Sequence, residues 1–109
     1  MIETRLAKIS KAKFGFGGYQ DAMIGLSVSF SGDGWGTSDF KGAWAIKRSE
    51  GAKWTDHERI STLGETVMFL NDLLTQAKKN NVAELAGTPV EVTFDGMRMT
   101  SWRVLTEVL

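Results

Sequence analysis

Hydrophobic and polar positions alternate most regularly between Ile24 and Phe30, where Ile24, Leu26, Val28 and Phe30 are separated by Gly25, Ser27 and Ser29. A period of two puts each set on its own face of a strand, so this segment predicts a strand with one buried face. A second alternation sets Phe40, Gly42, Trp44 and Ile46 against Lys41, Ala43 and Ala45. Between the two lies Ser31 to Ser38, which reads as a glycine-and-tryptophan loop. The stretch from Tyr19 to Ile46 is therefore expected to be a hairpin around which the chain is organised.

Before it, Ile2, Leu6, Ile9, Ala12 and Phe14 are apolar with charged residues between them, but they slip out of a strict period of two. A strand with a bulge near Ala7 restores the phase. The Phe14-Gly15-Phe16-Gly17-Gly18-Tyr19 run that follows predicts a glycine-rich turn. It lacks the G-x-G-x-x-G order, and a strand rather than a helix comes after it, so it matches a phosphate-binding loop poorly and reads better as a connector or bulged corner.

After the hairpin the period changes from two to that of a helix. Leu63, Val67, Leu70, Leu74 and Ala77 recur at steps of four and three, and Phe69 and Leu73 widen the apolar stripe. Thr55-Asp56-His57-Glu58 and Thr62-Leu63-Gly64-Glu65 both have the capping-box pattern, leaving two candidate starts. Lys78 and Lys79 suit the helix C-terminus, and Asn80 or Asn81 the left-handed cap. Val82 to Ala86 predicts one more helical turn closed by Gly87, and Pro89 opens a strand in which Val90, Val92 and Phe94 alternate with Glu91, Thr93 and Asp95. An Asp95-Gly96 turn returns the chain antiparallel, opposing Met97, Met99 and Ser101 to Phe94, Val92 and Val90. From Trp102 the apolar phase reverses, which implies a bulge near Ser101 or a strand buried on both faces. The sum is one domain over residues 1–109 of α+β class: an antiparallel sheet of about five strands, in the order β-β-β-α-β-β, with one long helix on a face.

Composition narrows the functional classes. The 109 residues suffice for a single core, and 13 basic against 13 acidic residues leave no net field to attract a polyanion. Charge is nonetheless uneven: Arg5, Lys8, Lys11 and Lys13 face only Glu3, and Lys41, Lys47, Arg48 and Lys53 face only Glu50. With no cysteine, disulfides, thiolate nucleophiles and cysteine-ligated zinc drop out together. Without an apolar run of signal-peptide or membrane-spanning kind, a cytoplasmic protein with no membrane association is expected.

Candidate chemistry is sparse. His57 is the single histidine and sits in the cap pattern, so neither a zinc site nor a serine nucleophile finds its usual companions. Asp21, Asp33 and Asp39 flank the central hairpin and offer a carboxylate or metal site if they converge, although aspartates at such positions also serve turns. Binding is the better-supported class. Tyr19, Trp35, Trp44 and Trp54 lie among Lys47, Arg48 and Lys53, and planar side chains beside cations suit a nucleotide. Trp44 belongs to an apolar alternation and Trp54 fits a hydrophobic staple, so Tyr19 and the Gly34-Trp35-Gly36 run carry the expectation. Trp35 either protrudes from its loop to stack on a ligand or partner, or folds back on the domain's own core.

Gly18-Tyr19-Gln20-Asp21-Ala22, Gly34-Trp35-Gly36, Pro89-Val90-Glu91-Val92-Thr93-Phe94-Asp95-Gly96 and Ser101-Trp102-Arg103-Val104-Leu105-Thr106-Glu107-Val108-Leu109 together give the chain a pattern that resembles small uncharacterised proteins of tailed bacteriophages and prophages. The resemblance implies a small phage accessory protein in the bacterial cytoplasm, with no established activity or cofactor attached. The resulting expectation is a non-enzymatic binding protein that needs no cofactor and no metal. It sequesters a nucleotide-like ligand or blocks a host defence protein through Tyr19, Gly34, Trp35, Gly36, Lys47, Arg48 and Lys53. One rival is a single-strand nucleic-acid-binding factor; another is a metal-dependent hydrolase built on Asp21, Asp33 and Asp39. A homo-oligomer is expected because one helix leaves the second face of the sheet uncovered.

Overall fold

A computed structural model describes residues 1–45 and 54–109. Five antiparallel strands form one sheet: β1 (Ile2–Gly17), β2 (Met23–Gly32), β3 (Trp35–Trp44), β4 (Pro89–Asp95) and β5 (Arg98–Val104), in the spatial order β3-β2-β1-β4-β5. A single long helix, α1 (Asp56–Ala77), lies between β3 and β4 in sequence. The α+β class and the element order agree with the hydrophobic pattern.

β1 runs through Phe14–Gly17 of the expected glycine-rich turn, and the reversal begins at Gly18 and Tyr19. Its bulge falls at Ser10, between Ile9 and Lys11, not near Ala7. The bulge divides the strand's labour. Residues 2–8 pair with β4, and residues 8–17 pair with β2.

The sheet curls. Asp39 on β3 accepts a 3.0 Å hydrogen bond from the Trp102 indole on β5, so the two edge strands approach one another. Phe30 of β2 stacks 4.8 Å from Trp102. Gly25 and Gly42 face each other across β2 and β3; a Cβ on either would run into the neighbouring backbone, and their absence permits the close approach that a tight curl needs. Inside the curl Ile9, Leu26, Val28, Phe30, Val90 and Val92 are almost wholly buried.

The capping box resolves the two helix starts in favour of Thr55. Its hydroxyl accepts from the Glu58 amide at 3.1 Å, and the Glu58 carboxylate accepts from the Thr55 amide at 3.0 Å. Thr62 lies inside α1, where its hydroxyl donates to the Glu58 carbonyl. At the other end Lys78, not an asparagine, takes the left-handed conformation, with φ 59°. α1 buries Thr66, Leu73 and Ala77 and sets Phe69 5.9 Å from Trp102. Val67, expected in the buried stripe, is 54% exposed.

Three further expectations need correction. The Ser31 to Ser38 loop is a two-residue turn, Asp33-Gly34, with Gly34 at φ 76°, and the strands run up to it on both sides. The last hairpin turns at Gly96-Met97 rather than Asp95-Gly96. Asp95 therefore faces Arg98 and Phe94 faces Met99, and a bulge at Thr100, beside Ser101, brings Trp102 opposite Val92. In β3 the phase is reversed relative to the apolar alternation: Asp39 pairs with Val28 and Lys41 with Leu26, so these polar residues share the core-side face, while Phe40 pairs with Ser27 on the outer face. Phe40 finds its apolar contacts there, its ring 3.1 and 3.0 Å from where a Cβ on Gly17 or Gly18 would lie.

The outer face is mixed. Lys8, Lys11, Lys13, Ser27, Ser29 and Ser31 occupy its middle, Met23 and Trp44 pair on it beside Phe40, and Ile2 and Leu6 stand exposed on the first half of β1.

Candidate functional site

The residues singled out from the sequence do not converge. Tyr19, 68% exposed, sits in the turn between β1 and β2. Trp35 opens β3 at the far end of β2, a strand of ten residues and so about 30 Å away. One small ligand cannot touch both. Trp35 does not protrude: its ring stands edge-on 5.4 Å from Phe94, with the Arg5 guanidinium 5.9 Å from its centroid. A Cβ on Gly32 would collide with the indole. It folds back on the domain's own core, between the exposed Gly34 and Gly36. Lys47, Arg48 and Lys53 lie outside the described residues.

The carboxylate trio is likewise dispersed. Asp21 is in the β1–β2 turn, Asp33 in the β2–β3 turn and Asp39 is bonded to Trp102. No group of three or more His, Cys, Asp or Glu able to hold a metal occurs among the described residues. His57 is exposed in the first turn of α1.

A different constellation is assembled where the first half of α1 lies along the rim of β3. One hollow of about 210 Å³ is bounded by Met23, Trp44, Trp54, Glu58, Arg59 and Thr62. A second, of about 400 Å³, is bounded by Phe40, Lys41, Thr62, Glu65, Thr66 and Phe69. Gly42 and Thr62 line both, so the two form one cleft. The capping box fixes its upper wall by setting where α1 begins, and Gly42 keeps its floor low.

The cleft's polar groups are of unequal availability. Glu58 is committed to the helix cap. Arg59 is mostly buried, its Nε 3.8 Å from the Asp56 carboxylate and without a hydrogen-bond partner among the described residues. Burying a guanidinium donor with only a loose ion pair is costly, which marks Arg59 as a group that a further acceptor would satisfy. The Lys41 ammonium rests 4.8 Å from the Phe69 ring centroid. Two indoles, a guanidinium and an ammonium thus border one cleft, a set suited to holding a planar anion by stacking and charge.

Reading along the chain misses this site for a definite reason. Trp44 and Trp54 each have an adequate local explanation, as a strand residue and as a staple, and Arg59 carries no motif. Only the helix laid along β3 brings the three together.

No helix among the described residues is long and apolar enough to cross a membrane. No family model matches the chain, and neither does any curated protein or solved structure.

Proposed function

We propose that the chain is a non-enzymatic phage accessory protein that sequesters a nucleotide-like ligand in the cleft between α1 and β3. The phage setting is what the sequence resemblance implies. The observation that carries the ligand reading is the buried Arg59 Nε, which has no hydrogen-bond partner among the described residues, beside Trp44 and Trp54. In this reading a base or comparable ring lies against the indoles, and its anionic group is met by Arg59 and Lys41. Tyr19 and Trp35 have no part in it. The even balance of 13 basic and 13 acidic residues argues against the rival in which single-stranded bases stack on the sheet, because such binding draws on a basic field.

Native mass spectrometry of the chain purified from bacterial cytosol tests the proposal. A co-purified anionic small molecule is expected with the unaltered protein and lost with Arg59→Gln. Titration with ADP, followed by tryptophan fluorescence, supplies a direct probe. No retained small molecule and no ADP-dependent quenching would overturn the reading.

A further inference from the structure

We propose that the uncovered half of β1, residues 11–17, binds by strand addition an extended segment of a partner protein in which apolar and acidic residues alternate. This inference is independent of the α1–β3 cleft.

The staggered pairing of β1 makes the slot. β4 lies beside β1 from Ile2 to Lys8, and the connection into β4 continues the cover to Ile9, which donates its amide to Thr88 and accepts from Gly87. Beyond Ile9 that flank has no strand. The direction of the backbone groups follows from the β2–β3 hairpin. Its two-residue turn makes Gly32 and Trp35 a hydrogen-bonded pair, so Phe30, Val28, Leu26 and Ile24 bond toward β3. Their β1 partners Ala12, Phe14 and Phe16 consequently point N–H and C=O away from β2. These groups face the flank on which no strand lies, past the short helix at Val82–Leu85 that packs against β1, and no backbone partner for them occurs among the described residues.

Side chains define what fits. On the inner face Phe14 and Phe16 are 41% and 65% exposed, in register with Leu26 and Ile24. On the outer face Lys11 and Lys13 project in register with Ser29 and Ser27, and neither has an ion pair among the described residues.

The occupant is indicated by charge complementarity and by the strand already seated on this flank. β4 reads Val90-Glu91-Val92-Thr93-Phe94-Asp95, apolar inward and acidic or polar outward. A strand continuing its line would meet phenylalanines on the inner face and lysines on the outer, and would be matched by the same alternation. A second copy of this edge is disfavoured, because antiparallel self-pairing brings Lys13 near its own counterpart. The corresponding gap beside residues 2–7, on the β2 side, is different in kind: there Trp35 reaches across the inner face to Phe94.

The test uses two synthetic hexapeptide amides, one alternating Val and Glu and the other alternating Val and Lys, titrated into the isotopically labelled full chain and followed by backbone amide NMR. Shifts centred on Ala12, Phe14 and Phe16 are expected, with the acidic peptide binding about tenfold tighter, the combined effect of two or three cross-strand ion pairs. Lys11→Glu with Lys13→Glu should reverse the preference. Phe14→Pro should abolish binding of both peptides while leaving the β1–β2 ladder intact, since the amide it removes faces the open flank. Four outcomes would each overturn the proposal: equal binding of the two peptides, no perturbation of these amides at millimolar peptide, a dimer of the free chain with the three amides already protected, or displacement of the acidic peptide's effect by oligothymidylate binding on the lysine face.

Discussion

β1 is one neighbour short along each of its halves, and the two halves manage the shortage differently. Residues 2–7 lack a strand on the β2 side, and there Trp35 leans across the inner face onto Phe94 while Arg5 sits over both rings, 5.9 and 5.3 Å from their centroids. The Arg5 Nε is in turn 2.8 Å from Glu3. Residues 11–17 lack a strand on the β4 side, and Phe14 and Phe16 stand exposed beside it. The same contrast holds for charge. Around β4 the carboxylate of Glu91 meets Arg103 at 3.2 Å, whereas Lys11 and Lys13 meet no carboxylate among the described residues. One open flank is closed by the chain's own aromatic and ionic contacts; the other retains the unpaired features of a surface that receives something.

The largest test of this contrast exchanges ring for methyl on each side. Trp35→Ala removes a half-buried indole from Phe94, Arg5 and Gly32 and should cost about 3 kcal/mol of unfolding free energy, near the lower end for aromatic truncations because the ring is only partly buried. Phe16→Ala should stay within about 0.5 kcal/mol, as expected for a surface position without a partner. Urea unfolding measures both. Comparable losses at the two sites would mean that the second flank is as closed as the first.

This contrast also marks where sequence reading succeeds and fails. Local signals were legible: the Thr55–Glu58 cap, as one of two candidate starts, the helical turn expected over Val82 to Ala86 and found at Val82–Leu85, the opening of β4 at Pro89 and the inward set Val90, Val92 and Phe94 depend on near neighbours alone. Choices settled by distant residues were not. Asp33-Gly34 and Asp95-Gly96 look equivalent as turn dipeptides, yet only the first is the turn; in the second hairpin the register is decided by Trp102, which must reach Val92, Phe30 and Asp39 at once. The phase of β3 escaped for a related reason. Phe40 reads as core until Gly17 and Gly18, more than twenty positions earlier, are seen to leave room for its ring on the outer face. Trp35 offered two readings from the sequence, and Phe94, almost sixty residues away, decides between them. The cleft at Arg59 was invisible because its two indoles had already been given structural work.

A smaller effect is expected at the seam where β3 and β5 approach one another. Trp102→Phe keeps the ring against Phe30 and Phe69 but deletes the N–H donated to Asp39, leaving a partly buried carboxylate without its donor. A loss of about 1–2 kcal/mol is expected, in the range for breaking a hydrogen bond to a charged group. Asp39→Asn, which keeps an acceptor, should cost less. If Trp102→Phe is neutral, the β3–β5 approach is maintained by ring contacts alone, and the curl that shapes both flanks does not depend on that bond.

The smallest effect concerns the ionic half of the contrast and is read as a pH dependence. Arg103 donates to both Glu107 carboxylate oxygens at 3.0 Å, and this pairing holds the Glu107 carboxyl below its ordinary value while raising the arginine's. The sign follows from linkage. A carboxyl whose pKa is lower in the folded chain contributes stability above its unfolded value, and that contribution is lost as pH falls through the folded one. Arg103 remains charged throughout this range, so Glu107 alone titrates. All the groups involved are solvent-exposed, so salt weakens the effect. Glu107→Gln should therefore melt slightly below the unaltered chain at neutral pH and low salt, with the difference vanishing as the solution is acidified past the ordinary carboxylate range. Lys13→Gln, on the flank without carboxylates, should show no such convergence. A Lys13→Gln difference that also disappears on acidification would reveal a carboxylate partner for that lysine, and the two halves of β1 would then be alike in charge.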